Sequence, residues 1–339
     1  MDFDLTEDQL ALRAGASDVL ADLASPAAVR SHTTTGAPFD RVLWRAMVDQ
    51  GWLGVELDEA SGGLGLGSVE VAVLAEELGR HAAPAPFVPT VLALDVFARA
   101  GEREWVERLA GGDAIACVAW DAAAPVPYAP SADVAVVLTD DAVYAVELGV
   151  DARPAREPAM DLTRELGWLP FDPASARRIG DTDDATRLRD RGATFTSADL
   201  LGSASHALEL AVEYAKDRVQ FGRPIGSFQA VKHRCADMLV DVEGMRSTVY
   251  WAAWCIGAGD GDASVAASTA KIWCGDASKR VMASALQVHG GIGFTWEHDL
   301  HFFMKRAQLD QLAFGDASAH RARLAELLRP RVEAGESVV

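Results

Sequence analysis

The string Arg218-Val219-Gln220-Phe221-Gly222-Arg223-Pro224-Ile225 gathers an arginine, a glutamine and an aromatic ring around a glycine. A guanidinium is a planar fork of donors that matches paired anionic oxygens, and a phenyl ring is a flat apolar partner. Ser227-Phe228-Gln229 follows, and Gln287-Val288-His289-Gly290-Gly291-Ile292-Gly293-Phe294 stands further along. Gln229 and Gln287 offer amide donors and acceptors, while Gly290-Gly291 lets a backbone come close to a bound group. Each feature also has a plain structural use. An arginine at a helix end complements the helix dipole, and a Gly-Gly pair makes an inter-helix turn. Cys117, Cys235, Cys255 and Cys274 form no C-x-x-C pair. That spacing argues against a zinc cluster or disulfide framework and fits a reducing cytoplasm. His289 and His301 lack metal-ligand spacing and read as structural.

These groups need elements to position them. Thr6 and Gln9 make a capping box and Leu5 and Leu10 a hydrophobic staple, ahead of an apolar face at Leu12, Ala16, Val19 and Leu23. A Pro/Thr/Gly loop is expected from Pro26 to Pro38, then a helix from Asp40 to Gln50 that ends near Gly51. Gly62-Gly63-Leu64-Gly65 reads as a loop and Val69 to Arg80 as a buried helix, and Thr90 to Ala110 completes a helical N-terminal domain, residues 1–110. Residues 111–180 read as a reduced β-domain with strands at Ile115–Val118, Val134–Leu138 and Val143–Val146, separated by Pro and Asp turn signals. Within it, Gly149 to Arg178 is irregular. Residues 181–339 read as a four-helix bundle, with helices at Asp199–Val219, Val231–Gly257, Ala263–Val288 and Glu297–Leu328. Trp251, Trp254 and Trp273 on those helices read as core or interface packing rather than cofactor contacts.

Bulk composition narrows the partners. The 339 residues suffice for two or three domains. Fifty acidic against 31 basic residues give a formal net charge of -19. That field repels phosphate backbones and anionic lipid, so neither nucleic acid nor a membrane surface is expected as a partner. The chain opens with Asp2 and Asp4 rather than a basic, apolar leader, and no stretch is apolar enough to span a bilayer. A cytoplasmic protein is expected.

Five motifs in order resemble acyl-CoA dehydrogenases: Gly51-Trp52-Leu53-Gly54, Gly62-Gly63-Leu64-Gly65, Glu76-Glu77-Leu78-Gly79-Arg80, and the two C-terminal strings above with Ala236-Asp237-Met238. The resemblance implies a mainly α fold with a small middle β-domain and a C-terminal four-helix bundle. It implies FAD as cofactor and α,β-dehydrogenation of an acyl-CoA thioester. Carried over, Arg218 reaches the FAD diphosphate and Phe221 packs against the adenosine. Phe228, Gln229, Gln287, Gly290 and Gly291 complete the set, serving FAD held mainly by a neighbouring subunit.

The same resemblance exposes what is missing. The family's catalytic glutamate, in an E-G-T sequence, aligns with Phe314-Gly315-Asp316, and the other position some members use aligns with Gly192-Ala193-Thr194. A weakly acidic α-proton needs a positioned carboxylate. The flavin-contacting loop after Val118 is replaced by Ala119-Trp120-Asp121-Ala122-Ala123-Ala124-Pro125. The implied role is one subunit of a heteromeric enzyme, similar to the α2β2 dehydrogenases of actinobacterial steroid side-chain degradation. A second acyl-CoA dehydrogenase subunit would carry the glutamate, FAD would be shared with it, and an electron-transfer flavoprotein or similar acceptor would take the electrons. Two alternatives stand beside this: a homotetrameric dehydrogenase or flavin oxidase using Asp316 as base, and a flavin-free scaffold.

Overall fold

The structure is a computed structural model that describes residues 4–337. Its N-terminal part is helical: α1 (Glu7–Leu23), α2 (Pro26–Thr35), α3 (Arg41–Asp49), α4 (Ser68–Arg80), α5 (Phe87–Arg99) and α6 (Arg103–Ala110). The Thr6 capping box forms, with Thr6 Oγ1 accepting from Gln9 N at 3.2 Å and Gln9 Oε1 accepting from Thr6 N at 3.0 Å. Leu5 packs on the core while Leu10 stays 49% exposed, so the expected staple is not closed by burial. The loop expected from Pro26 is instead helix α2. Ser25 caps it by accepting from Ala28 N, and Pro26 sits in the first turn, where a missing N–H costs nothing. Its threonines return their hydroxyls to carbonyls three residues back, which satisfies them inside a helix.

The middle part is a four-stranded sheet in the order β1-β3-β4-β6, from β1 (Ala116–Ala119), β3 (Val134–Leu138), β4 (Val143–Glu147) and β6 (Arg177–Gly180), with a separate two-stranded pair, β2 (Val126–Pro127) and β5 (Leu166–Gly167). β1 runs parallel to β3, and the other neighbours are antiparallel. The segment that showed no periodicity, 149–178, crosses inward at Asp161, Thr163, Arg164 and Glu165, all buried. Its polar character reflects burial against charge, which no hydropathy pattern reports.

The C-terminal part begins with α7 (Thr182–Asp217), longer at its start than the Asp199 expected, because Asp181 and Asp184 close a capping box there. A hairpin of β7 (Val219–Gln220) and β8 (Arg223–Pro224) follows, then α8 (Gln229–Ala258), α9 (Ala263–His289), α10 (Leu300–Asp310) and α11 (Ala317–Ala334). Helices α7, α8 and α9 alternate in direction, so the ends of α7 and α9 and the start of α8 lie at one end of the bundle. Trp254 and Trp273 are 37% and 40% exposed, so they are surface residues rather than core.

Helix α4 is the seam between the N-terminal part and the bundle. A Cβ on Gly202 of α7 would overlap the Glu76 carbonyl oxygen, and one on Gly79 would overlap that of Asp199. The two backbones therefore touch. Beside the crossing, buried Glu76 accepts from Tyr250 Oη at 2.5 Å and pairs with Arg13 and Arg246, tying α1, α4 and α8 together. Gly202→Ala should destabilise the fold by about 1–3 kcal/mol through overpacking, despite alanine's better helix propensity. Urea unfolding would show it. A variant as stable as the parent would mean that the helices do not need the contact.

Candidate functional site

Two regions bring together the residues singled out in the sequence, and they differ in kind. The first is a cavity of about 50 Å³ where the N-terminal helices, the sheet and the bundle meet, lined among others by Leu78, Phe87, Val118, Trp120, Tyr128 and Phe314. Ligand pockets run to roughly 300–1,000 Å³, so this space is too small for an acyl chain or a flavin ring. Phe314 and Trp120 fill it, with ring centroids 5.2 Å apart. The phenyl ring also lies on the backbone of Gly192, where any Cβ would overlap it. The ring and the bare Cα thus fit each other, because position 192 carries only hydrogen where the phenyl ring lies.

The backbone keeps an unusual shape there. Phe314 has φ +58°, a left-handed conformation that a bulky residue adopts at a cost of roughly 1–3 kcal/mol. His320 holds it, its Nε2 lying 3.0 Å from the Phe314 carbonyl oxygen and hence carrying the proton. Burial takes the His320 pKa down to about 4, because a charged imidazole would be cut off from water. Asp316 does not point to the cavity as a base would. It caps α11, accepting from Ala319 N at 2.8 Å.

Under the cavity lies a buried set of charges that sequence reasoning missed. Arg164 of the inward-crossing segment donates to both oxygens of Asp310 and, at 3.0 Å, to Asp199. Arg306 clasps both Asp199 oxygens at 2.8 and 2.7 Å, and reaches the Ala83 carbonyl and the Thr163 hydroxyl. Burial pushes Asp199 up, but Arg306 and Arg164 outweigh it and hold the carboxylate below its ordinary range. Burial raises Asp310 to about 6 against the pull of Arg164, with Asp199 adding repulsion. Both carboxylates are committed to guanidinium partners, so neither is placed to take a substrate proton. The only sequence signal was the i, i+4 pair Arg306 and Asp310 on one helix face.

The second region is the bundle end, and it is open. Arg218, Gln229, Gln287 and Gly291 are exposed, while Phe228 and Gly290 are half-buried. Phe221 is 92% exposed at the tip of the β7–β8 hairpin, with φ +52°. Phe228 is less available, because Phe221 packs edge-on to it and the Arg223 guanidinium lies 4.2 Å from its ring centre. Tyr214 of α7 stacks on His289 of α9 with centroids 4.8 Å apart, which fixes the two strings side by side. Helix α8 starts here with no side-chain cap, its Val231 and Lys232 N–H groups donating to the Phe228 carbonyl at 3.1 Å. Phe294 and Trp296, 75% and 61% exposed, add two rings that the motif reading did not include. A forked cation, two amides, close-approach glycines and flat rings suit a dinucleotide's diphosphate and adenosine. The first cavity, at about 50 Å³, has room for neither.

The fold is one found in dehydrogenases built from a helical domain, a small sheet and a helical bundle. The family pattern described as acyl-CoA dehydrogenase, N-terminal domain, matches residues 6–113, and that of the C-terminal domain matches residues 188–328. Acyl-CoA dehydrogenase IpdE2 of Mycolicibacterium smegmatis is 35% identical over 309 residues, covering 89% of this chain and 93% of the relative. Acyl-CoA dehydrogenase FadE27 of Mycobacterium tuberculosis is 32% identical, covering 96% and 98%. The chain belongs to the acyl-CoA dehydrogenase family. Among solved structures, the ChsE4-ChsE5 complex from Mycobacterium tuberculosis is similar at TM-score 0.87 and 32% identity, covering 97% of this chain and 99% of that one. The Tcur3481-Tcur3483 steroid ACAD is similar at TM-score 0.87 and 29% identity, covering 96% and 99%. Among the described residues, no helix is long and apolar enough to cross a membrane.

The burial of His320 beside the Phe314 turn makes the fold sensitive to acid, with the bond to the Phe314 carbonyl working against the effect. The folded-state pKa lies below the ordinary 6.5, so its contribution is intact above pH 6.5 and is lost as pH falls toward about 4. The loss should be on the order of 3 kcal/mol. His320→Gln keeps an N–H donor but does not titrate, so urea midpoints across that interval should fall less steeply. An unchanged slope would remove His320 from the account.

Proposed function

We propose that this chain is a subunit of a heteromeric FAD-dependent acyl-CoA dehydrogenase, completing a partner's FAD site rather than supplying the catalytic base. The observation that carries the reading is Phe314, seated on Gly192 and Trp120 where the base should stand. Filled space at the family's reaction centre, combined with open groups at the bundle end, makes sense when the reaction centre belongs to another subunit. The partner would be a second acyl-CoA dehydrogenase subunit that carries the glutamate. Similarity to a solved two-protein complex and to a steroid dehydrogenase supports the heteromer, and favours a steroid side-chain CoA ester as substrate. An electron-transfer flavoprotein or similar acceptor would complete the cycle, in the cytoplasm.

FAD, when bound, supplies the hydride acceptor. The work of this chain is to bind and exclude water. Arg218 offers its fork to the diphosphate, Phe221 a face to the adenosine, and Gln229 and Gln287 amide groups to the polar edges, with Phe228 buttressing Phe221. Gly290 and Gly291 leave room for backbone approach. The alternative in which Asp316 acts as base is weakened by its capping bond to Ala319 N. A flavin-free scaffold would have no use for an exposed ring held in a left-handed conformation at Phe221.

Arg218→Ala should weaken FAD retention by the assembled complex by about 1.5–3 kcal/mol, some ten- to hundredfold, while leaving assembly intact. Flavin content after extensive dialysis checks this, and an unchanged content would count against the site. Asp316→Asn in the same complex should keep turnover within a few-fold, because asparagine is an equally good helix cap. Loss of a general base would instead lower the rate about 100-fold or more. A loss of that size, with FAD bound and the complex intact, would make this chain the catalytic one.

A further inference from the structure

The loop between α9 and α10 continues directly from Gly290-Gly291 and carries Phe294 and Trp296. It has little structure of its own. Gly290–Phe294 is a single 3-10 turn, closed by Thr295, whose N–H and hydroxyl both donate to the Ile292 carbonyl at 3.0 and 2.8 Å. At its base His289 and His298 meet edge to face, with centroids 4.3 Å apart. Its outer half, Thr295–Asp299, is held from another part of the molecule. Arg30 on α2 donates to the Trp296 carbonyl, to the Glu297 carbonyl at 3.4 Å, and to the Asp299 carboxylate. The same guanidinium lies 5.3 Å from the centre of the Phe302 ring at the start of α10.

We propose that Arg30 is a positioning residue for the shared cofactor site, fixing the 290–299 loop from the N-terminal helical part. The inference rests on the reading of the bundle end as the FAD-facing surface. One planar cation collects two successive carbonyls and a carboxylate, a geometry that fits a guanidinium and that a single ammonium reproduces poorly. Two successive carbonyls turned to one side fix the chain's path at Trp296 and Glu297. That path sets where Gly290 and Gly291 present their backbone and where the exposed Phe294 and Trp296 rings stand. The Lys305 ammonium of α10 lies 3.7 Å from the centre of the Trp296 ring, a second hold on the loop. A surface ion pair between Arg30 and Asp299 alone would do none of this. The carbonyl contacts are what separate a positioning role from a charge pair.

Arg30→Lys keeps a cation for Asp299 and loses the fork. Three readouts decide the matter: amide hydrogen exchange across residues 290–299 in the full chain, its melting temperature, and FAD retention by the complex purified through a tag on this chain. For Arg30→Lys, the loop amides should exchange about tenfold faster and FAD should be held about tenfold less tightly, each equal to about 1.4 kcal/mol. The melting temperature should stay near that of the parent. Asp299→Asn, which leaves both carbonyl contacts in place, should affect exchange and retention much less. Equal effects of the two variants would reduce Arg30 to an ion-pair partner and overturn the proposal. So would parental exchange and retention in Arg30→Lys while Arg218→Ala loses FAD. If neither Arg218→Ala nor Arg30→Lys alters FAD retention, the reading of the bundle end as a cofactor surface fails, and this inference with it.

Discussion

Arg164, Asp199, Arg306 and Asp310 lie buried together, and each comes from a different stretch of chain or a different helical turn. A charge taken from water into a protein interior is held there only by close partners, and removing one partner strands the others. The four therefore come as a set. Arg164 brings in the segment that follows the sheet, Asp199 brings α7, and Arg306 and Asp310 bring α10. Through the Ala83 carbonyl, Arg306 also reaches the turn between α4 and α5. Three architectural parts are registered by one cluster, and the small cavity above it takes its floor from these groups. The Gly79–Gly202 crossing depends on the same registry, because Asp199 contributes its carbonyl to that contact and its carboxylate to the cluster.

The molecule is tightly packed around Phe314 and open at the bundle end. Around Phe314 the rings, the glycine and the ion pairs leave a cavity of only about 50 Å³. At the bundle end, cation, amides and rings are turned to solvent with few partners of their own. Strain is present in both places, as left-handed backbone at Phe314 and at Phe221. In the first it is supported by a buried histidine, and in the second by a two-residue hairpin turn. A rigid scaffold that holds an exposed ring in a costly conformation has its contact shape before any partner arrives, which lowers the ordering cost of association.

Most of the fold was legible because its signals are local. The Thr6 capping box, the helix after Asp40 and the three main strands follow from caps and periodicity, and the ordered motifs pointed to the family. The failures share a cause: they depend on contacts across the fold. Pro26–Thr35 looked like a loop because proline and threonine are poor interior helix residues, yet a first-turn proline and a docked position reverse that weighting. Asp161–Glu165 showed no periodicity because its polar residues are buried against charges elsewhere. Phe314 stood out in the sequence only through the family resemblance. That its ring would rest on Gly192 and against Trp120 was not legible, since those residues lie far apart in the chain. Arg30, in a stretch read as loop, gave no sign at all.

The glycine at position 192 couples distant stretches of the chain. Once a phenyl ring rests on a bare Cα, the three positions 314, 192 and 120 are no longer independent. A smaller residue at 314 would leave a void above the glycine that no side chain at 192 fills. Any side chain at 192 would run into the ring while Phe314 stays. Each single change is worse than none, so the three positions are locked by packing and can be altered only together.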